Sequence, residues 1–192
     1  STESLTNLVS NTGEVSADVT GVGSARAELS ACSYGTGHDK GIFSYGAVGV
    51  TNLVSNTGVV ATDTAGVGTS RKNIGACEYG EDKAIWGYGN NGGVQSITNL
   101  ISNVGVVSAD VSGVGTARKY LNACSYGGDK GIFGFGSITP DTAITNLVSN
   151  TGVVASDTAG VGTARSQLAA CEYGKDKGIF AYGSTADSNL VS

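Results

Sequence analysis

The sequence predicts an all-β fold made of four tandem units, and three observations support this prediction. The phrase Thr-Asn-Leu-Val/Ile-Ser-Asn recurs at intervals of 45, 47 and 47 residues, beginning at Thr6, Thr51, Thr98 and Thr145. β-branched and aromatic residues dominate the short apolar runs, and Gly bounds these runs. No helical period extends beyond about one turn. Because the repeat extends over the whole chain, the architecture can be predicted from the repeated unit.

Each unit contains four candidate strands, which are clearest in the last unit. Residues 168–173 and 178–182 are apolar-rich and flank a polar Gly-Lys-Asp-Lys turn, a pattern that predicts a hairpin. Residues 144–149 and 152–156 supply the third and fourth strands, with a turn at Asn150-Thr151-Gly152 between them.

A four-stranded unit of this length, repeated in tandem, is typical of a propeller blade. A single blade leaves both sheet faces uncovered, whereas blades packed around an axis cover one another. The sequence therefore predicts a β-propeller of four blades in residues 1–183, and residues 184–192 form a C-terminal tail that begins a fifth repeat. A β-solenoid with two coils per repeat also fits the length, but no shorter sub-period is present.

Each unit resembles a Kelch-type propeller repeat. An Arg precedes the first strand and a Gly-ending pair closes the second strand after a polar turn, as in Arg165 to Gly183. The unit departs from Kelch repeats in having Tyr-Gly or Phe-Gly for Gly-Gly, and in lacking the late Trp. The resemblance implies a ring closed by pairing N-terminal strands (residues 5–24) with C-terminal strands (residues 168–182), which would hide both edges. An eight-bladed ring shared by two chains and a stacked assembly are the alternatives.

The repeat sequence also resembles a second group of proteins. Thr-Asn-Leu-Val-Ser-Asn-Thr-Gly is similar to repeats in predicted structural proteins of marine tailed phages. This resemblance implies a virion or extracellular location.

Three residue types recur once per unit, and we expect them to be structural. Each Arg follows an Asp by eight residues, and we expect the two side chains to pair; a ring of guanidinium groups that binds carboxylate or phosphate is the alternative. We expect the Cys residues to be buried thiols without disulfides, and a ring of thiols facing a channel is the alternative. The three sets are Arg26, Arg71, Arg118 and Arg165; Asp18, Asp63, Asp110 and Asp157; and Cys32, Cys77, Cys124 and Cys171.

Composition and motifs argue against several function classes. A net charge of −5 argues against a nucleic-acid partner, and no apolar run is long enough for a membrane span. The chain has a single His, His38, in the one hairpin turn that differs from its siblings, which argues against catalysis and a zinc site. The Gly-Val-Gly segments precede no helix, so no phosphate-binding loop and no cofactor are expected.

The sequence therefore predicts a non-enzymatic scaffold for binding or assembly. Its loops differ most after each aromatic-Gly pair, at residues 47–50, 90–97, 137–144 and 184–187, where a glycan or protein ligand would bind. Individual ligand-binding residues are not assigned. The alternative is a purely structural subunit, a homo-oligomer that forms a ring or filament without a small ligand.

Overall fold

The computed structural model describes residues 2–184 and 188–191. These residues contain thirteen strands and no helix, which confirms the all-β prediction, so none of the described segments is a helix that could cross a membrane. The strands form four small antiparallel sheets, each of which combines the hairpin of one repeat with the third strand of the next. Sheet 1 contains β1 (Ser30–Tyr34), β2 (Lys40–Ser44), β3 (Val50–Val54) and β4 (Thr64–Ala65); sheet 2 contains β5 (Gly75–Tyr79), β6 (Lys83–Gly87) and β7 (Thr98–Ile101); sheet 3 contains β8 (Asn122–Tyr126), β9 (Lys130–Gly134) and β10 (Thr145–Val148); sheet 4 contains β11 (Ala169–Tyr173), β12 (Lys177–Ala181) and β13 (Ser188–Val191).

The predicted hairpin and third strand are present in every sheet. In sheet 3, Cys124 of β8 lies opposite Ile132 of β9, and Leu147 of β10 lies opposite Ile132 on the other side. The other three sheets have the same register, since Cys and Leu of each repeat flank the Ile of the second strand.

The predicted fourth strand is largely wrong. Among the described residues only sheet 1 has a fourth strand, the two-residue β4, and the fourth segments of sheets 2 and 3 form isolated bridges such as Val148–Val154 and Thr145–Thr158. A side chain takes over part of the pairing: Asn146 Nδ2 donates to Ala155 O at 3.0 Å and to Asp157 Oδ1 at 2.9 Å. These bonds hold the fourth segment beside the third strand without a continuous ladder.

The predicted pairing of N-terminal with C-terminal strands is also wrong. The outer edge of β12 pairs with β13, with Gly178 opposite Val191 and Phe180 opposite Asn189. The tail can do this because residues 189–191 repeat the third-strand sequence of residues 7–9 and lie close to β12 along the chain. Residues 6–19 form only bridges among themselves, at Thr6–Val19 and Val9–Val15, and among the described residues no sheet closes a ring.

Successive sheets join through equivalent contacts. The first strands of neighbouring sheets contact one another, β1 with β5, β5 with β8, and β8 with β11. A row of backbone hydrogen bonds links the same four positions: Asn73 N–H donates to Glu28 O (3.1 Å), Tyr120 N–H to Asn73 O (3.2 Å) and Gln167 N–H to Tyr120 O (2.8 Å). Each sheet is therefore related to the next in the same way, and three buried apolar clusters lie between the four sheets.

Candidate functional site

The junction between two sheets is the most elaborate feature of the repeat. We define a junction as the contact between two neighbouring sheets that forms around one aromatic residue. This residue follows the second strand of one sheet and packs into the next sheet. In the three interior junctions this residue is Tyr45, Tyr88 or Phe135, with φ of 42°, 63° and 62°. The left-handed backbone turns each ring out of its own sheet. The Gly that follows is also left-handed, and at Gly89 (φ 98°) a Cβ would lie 2.6 Å from Lys72 O.

Each junction ring meets an aromatic residue of the next sheet edge-on or tilted. The centroids of Tyr45 and Trp86 are 5.2 Å apart, and those of Tyr88 and Phe133 are 5.1 Å apart. Phe135 packs on Phe180 at 5.4 Å in the third junction. The hydroxyls donate to carbonyls of the Gly-Val-Gly segments, Tyr88 to Val114 at 3.0 Å and Tyr45 to Val67. Aromatic pairs of this kind stabilise by about 0.5–1.5 kcal/mol beyond the area they bury.

A buried arginine covers the other face of each junction ring. Arg71, Arg118 and Arg165 are at most 1% exposed, and their Cζ atoms lie 5.5, 4.1 and 4.0 Å from the ring centroids. Arg118 Nε donates to Phe135 O at 2.8 Å and its Nη1 to Thr116 O at 3.2 Å. Burial lowers the pKa of the Arg118 guanidinium, but the ordinary value is so high that the group stays protonated at neutral pH. These guanidinium groups make their contacts inside the protein, so they are not exposed to bind an external anion.

Asp63 and Asp110 each lie near the Arg that begins their own sheet, which corrects the predicted pairing. Asp110 Oδ1 lies 3.8 Å from Arg71 Nη1, across 39 residues, and Asp63 Oδ1 lies 3.9 Å from Arg26 Nη1. The Arg predicted to be the partner lies eight residues after the Asp. That Arg begins the next sheet, whereas the Asp lies at the end of its own sheet. Asp18 lies at the N-terminal end, where its carboxylate accepts a hydrogen bond from Asn7 Nδ2 at 2.9 Å.

The Asp also fixes the loop that leads into its sheet. Asp110 Oδ2 accepts from Thr69 N–H (2.9 Å) and Thr69 Oγ1 (2.7 Å), while Asn99 Nδ2 donates to Asp110 Oδ1 (3.0 Å). Burial raises the pKa of Asp110, but these hydrogen bonds outweigh it and hold the pKa below its ordinary value. Asp157 has the same set of donors, from Thr116 and Asn146, and its pKa is lowered in the same way.

The four cysteines are free, and their burial depends on the next sheet. Cys77 and Cys124 are 4% exposed, because β9 and β12 cover them at Gly131 and Gly178. Cys32 is half-buried and Cys171 is exposed. Burial raises the pKa of Cys77 well above its ordinary value and that of Cys124 to about 12, so these thiols are not reactive nucleophiles at neutral pH.

His38 joins two sheets. Its Nδ1 contacts the Glu78 carboxylate of sheet 2, and both line a small cavity with Glu172 of sheet 4. Burial, and then the charge of Glu78, raise the pKa of Glu172. Within residues 2–184 and 188–191, no group of three His, Cys, Asp or Glu side chains is placed to hold a metal ion.

The junction is incomplete at both ends of the stack. Tyr182 is the fourth junction aromatic and has the same left-handed backbone (φ 61°), but it is 69% exposed. At the other end Arg26 and Phe43, the counterparts of Arg71 and Trp86, line a cavity of about 140 Å³. The sequence-based assignment missed the junction aromatics and the third-strand Asn residues as a set. Their signal was their strict recurrence in the aromatic-Gly and Thr-Asn-Leu phrases.

The chain matches no protein-family model, and a search of curated proteins finds no similar protein. Function is therefore inferred from the geometry of the junctions and of the first and last sheets.

Proposed function

We propose that this protein is a non-enzymatic repeat scaffold, a structural subunit that acts by assembling with other protein chains. One observation carries the proposal: the first and last sheets that the structure describes expose residues whose equivalents are buried between sheets. Tyr182 is 69% exposed, against 0% for Tyr45 and Tyr88. At the other end Val9 is 67% exposed, whereas its counterparts Ile101 and Val148 are fully buried. Apolar side chains that are exposed at positions buried elsewhere in the repeat can pack against another protein chain.

The four sheets of this scaffold are arranged as blades of a β-propeller around a common axis. Two observations support the arrangement. The first strands of all four sheets line one groove, to which Cys32, Cys77, Cys124 and Cys171 all contribute. On the same side, His38 of sheet 1 and Glu172 of sheet 4 line one small cavity. The first strands are thus the inner strands of the blades.

The chemistry of the repeated residues favours a scaffold over an enzyme. The interior Arg and Asp side chains are engaged in hydrogen bonds within their own sheet, the Arg side chains also pack on the aromatic ring of the preceding sheet, and burial raises the pKa of Cys77 and Cys124. The resemblance to phage structural repeats makes a virion or another extracellular assembly the expected setting. Glycan recognition by the variable loops stays a prediction, which a glycan array would test.

Light scattering on a sizing column tests the proposal. We expect masses that are multiples of 19.1 kDa, that fall on dilution, and that persist in high salt because contacts made by Tyr182 and Val9 are apolar. A 19.1 kDa species at every concentration, with no larger form, would overturn the proposal.

A further inference from the structure

Four equivalent residues have a backbone conformation that their side chains do not favour. Each lies two residues after the repeat Arg and immediately before an apolar residue, and the four are joined by the row of backbone hydrogen bonds between sheets. Their φ angles are 61°, 57°, 56° and 57°, in the left-handed region. We call Glu28, Asn73, Tyr120 and Gln167 the row residues.

The row residues keep their side chains at positions that suit glycine. Nineteen of the described glycines have a positive φ, because Gly has no Cβ and adopts this conformation with little strain. Asn tolerates it, but Glu, Tyr and Gln do not. Residues held in an unfavourable backbone conformation cluster at active sites and ligand clamps. The row is therefore a candidate binding site, provided that the fold itself does not need these side chains.

The fold depends on the neighbours of the row residues more than on the row residues themselves. Ile74, Leu121 and Leu168 follow three of them and are each 5% exposed, and the Arg two residues earlier is buried in the same three repeats. The row residues are half-buried or exposed, and their side chains change from carboxylate to amide to phenol to amide. Fixed neighbours thus hold a backbone whose side chains differ from one repeat to the next.

The variable loops begin beside the row. Lys72 pairs with Asn90, and Lys119 pairs with Ser137, through backbone hydrogen bonds of 2.7–3.1 Å. Asn90 and Ser137 are the first residues of two variable loops. Each first strand runs from the row to the hairpin turn, so the turns lie at the opposite end of these strands. The segments that differ most between repeats therefore meet on one face, and such segments on a rigid scaffold usually carry binding residues.

The row offers one aromatic ring, two amides and one carboxylate. Glu28 Oε2 binds Lys72 Nζ at 2.7 Å, and Lys119 Nζ lies 5.1 Å from the centroid of the Tyr120 ring. Among the described residues, the side-chain amide of Gln167 makes no hydrogen bond, so its donors and its acceptor stay available. A ring face beside amides and a carboxylate suits a ligand with both an apolar face and many hydroxyl groups, which is the chemistry of a sugar.

We propose that the row residues form a binding site for a carbohydrate. The Tyr120 ring stacks on the C–H face of a sugar residue, and the amides of Asn73 and Gln167 form hydrogen bonds with its hydroxyls. Backbone hydrogen bonds of 2.8–3.2 Å hold the row in a fixed order, which lowers the entropy lost on binding. A phosphate-rich ligand fits less well, because the Glu28 carboxylate lies in the same row and pairs with Lys72. This inference goes beyond the proposed function, since sugar binding requires no assembly of chains.

Glycine substitution separates a binding role from a structural one. Tyr120→Gly removes the ring but suits the left-handed backbone, so Tm should fall by less than about 4 °C. An array of neutral and acidic oligosaccharides identifies the sugar that the unmodified chain binds, and calorimetric titration with that sugar measures Kd. Tyr120→Gly should raise Kd about tenfold or more, and Gln167→Gly should raise it severalfold. Tyr120→Phe should change Kd by less than about threefold, because it keeps the ring face.

Tyr173→Ala is the matched control. Tyr173 is an exposed tyrosine at the end of β11, next to the hairpin turn and therefore at the opposite end of a first strand from the row. Its removal takes away an exposed aromatic ring of the same kind and should leave Kd unchanged.

Three results would overturn the inference. The first is an unmodified chain that binds no sugar on the array, and the second is a Tyr120→Gly chain with the Kd of the unmodified chain. The third is a fall in Tm of more than about 4 °C for both Tyr120→Gly and Gln167→Gly, which would show that these side chains serve the fold. Light scattering reports on assembly separately, so these results leave the proposed function in place, and a chain that stays single leaves the sugar site in place.

Discussion

Replacing Arg118 by Met should destabilise the middle of the stack. Arg118 is fully buried, donates to Phe135 O and Thr116 O, and lies 4.1 Å from the centroid of the Tyr88 ring. Met fills a similar space but donates no hydrogen bond and carries no charge. Three carbonyl groups, including that of Phe133, would therefore lose a donor while the apolar packing is largely kept.

The expected loss is about 3 kcal/mol in the free energy of unfolding. A buried carbonyl left without a donor costs about 1–3 kcal/mol, and a desolvated cation over an aromatic ring contributes about 2 kcal/mol. Removing the charge also removes the cost of burying it, which offsets part of this loss and is of the order of a few kcal/mol. For a chain of this length, 3 kcal/mol corresponds to a fall in Tm of about 6–12 °C.

Thermal and guanidinium unfolding, followed by circular dichroism at a dilution where the chain is a single molecule, measures this loss. Arg26→Met is the control within the repeat: Arg26 donates to Asn52 Oδ1 at 2.5 Å but is not among the arginines stacked on a ring, so it should cost less. Lys119→Met removes the neighbouring charge and should cost less than about 1 kcal/mol. An Arg118→Met chain that melts within about 2 °C of the unmodified chain would refute the reasoning.

Three further predictions concern the hydroxyls, the carboxylates and the thiols. Tyr88→Phe removes the bond to Val114 O and should cost about 1 kcal/mol in chemical unfolding, whereas Phe135→Tyr, the reverse change one sheet further on, should cost less. The aspartates of the junctions have a lowered pKa, so their contribution is present above the unfolded value of about 4 and is lost as the pH falls through the folded value. Tm should therefore be steady from about pH 7 to about pH 5 and fall below about pH 4; a decline that begins at neutral pH would contradict this. A neutral thiol reagent should label Cys171 at once and Cys124 only after unfolding, as read by mass spectrometry of the peptides.

The features that could be predicted from the sequence are those fixed by neighbouring residues. The hairpin of β11 and β12 follows from two apolar runs and a polar turn, and the third strand follows from a phrase that recurs in every unit. The fourth segment has the same composition as a strand, yet its position depends on Asn146, which reaches Ala155 and Asp157 across 9 and 11 residues. Amino-acid composition does not reveal that hydrogen bonds from a side chain replace the backbone hydrogen bonds of a strand pair.

The error over Arg and Asp has a different cause. Asp110 and Arg118 are close in sequence, but the Gly-Val-Gly segment between them carries the chain from one sheet into the next. The guanidinium that Asp110 faces is Arg71, at the start of the same sheet. Spacing along one repeat cannot distinguish a neighbour within a sheet from a neighbour across a junction, since both recur with the same period.

The ends of the stack show how little of the burial depends on the residue itself. Tyr182 has the backbone conformation of Tyr88 and the same Gly after it, yet its exposure is 69% rather than 0%. What differs is that a further sheet follows Tyr88, whereas the described residues contain no sheet after the one that ends at Tyr182. The burial of this aromatic position is therefore decided by the neighbouring sheet and not by the local sequence, which is the same at both positions.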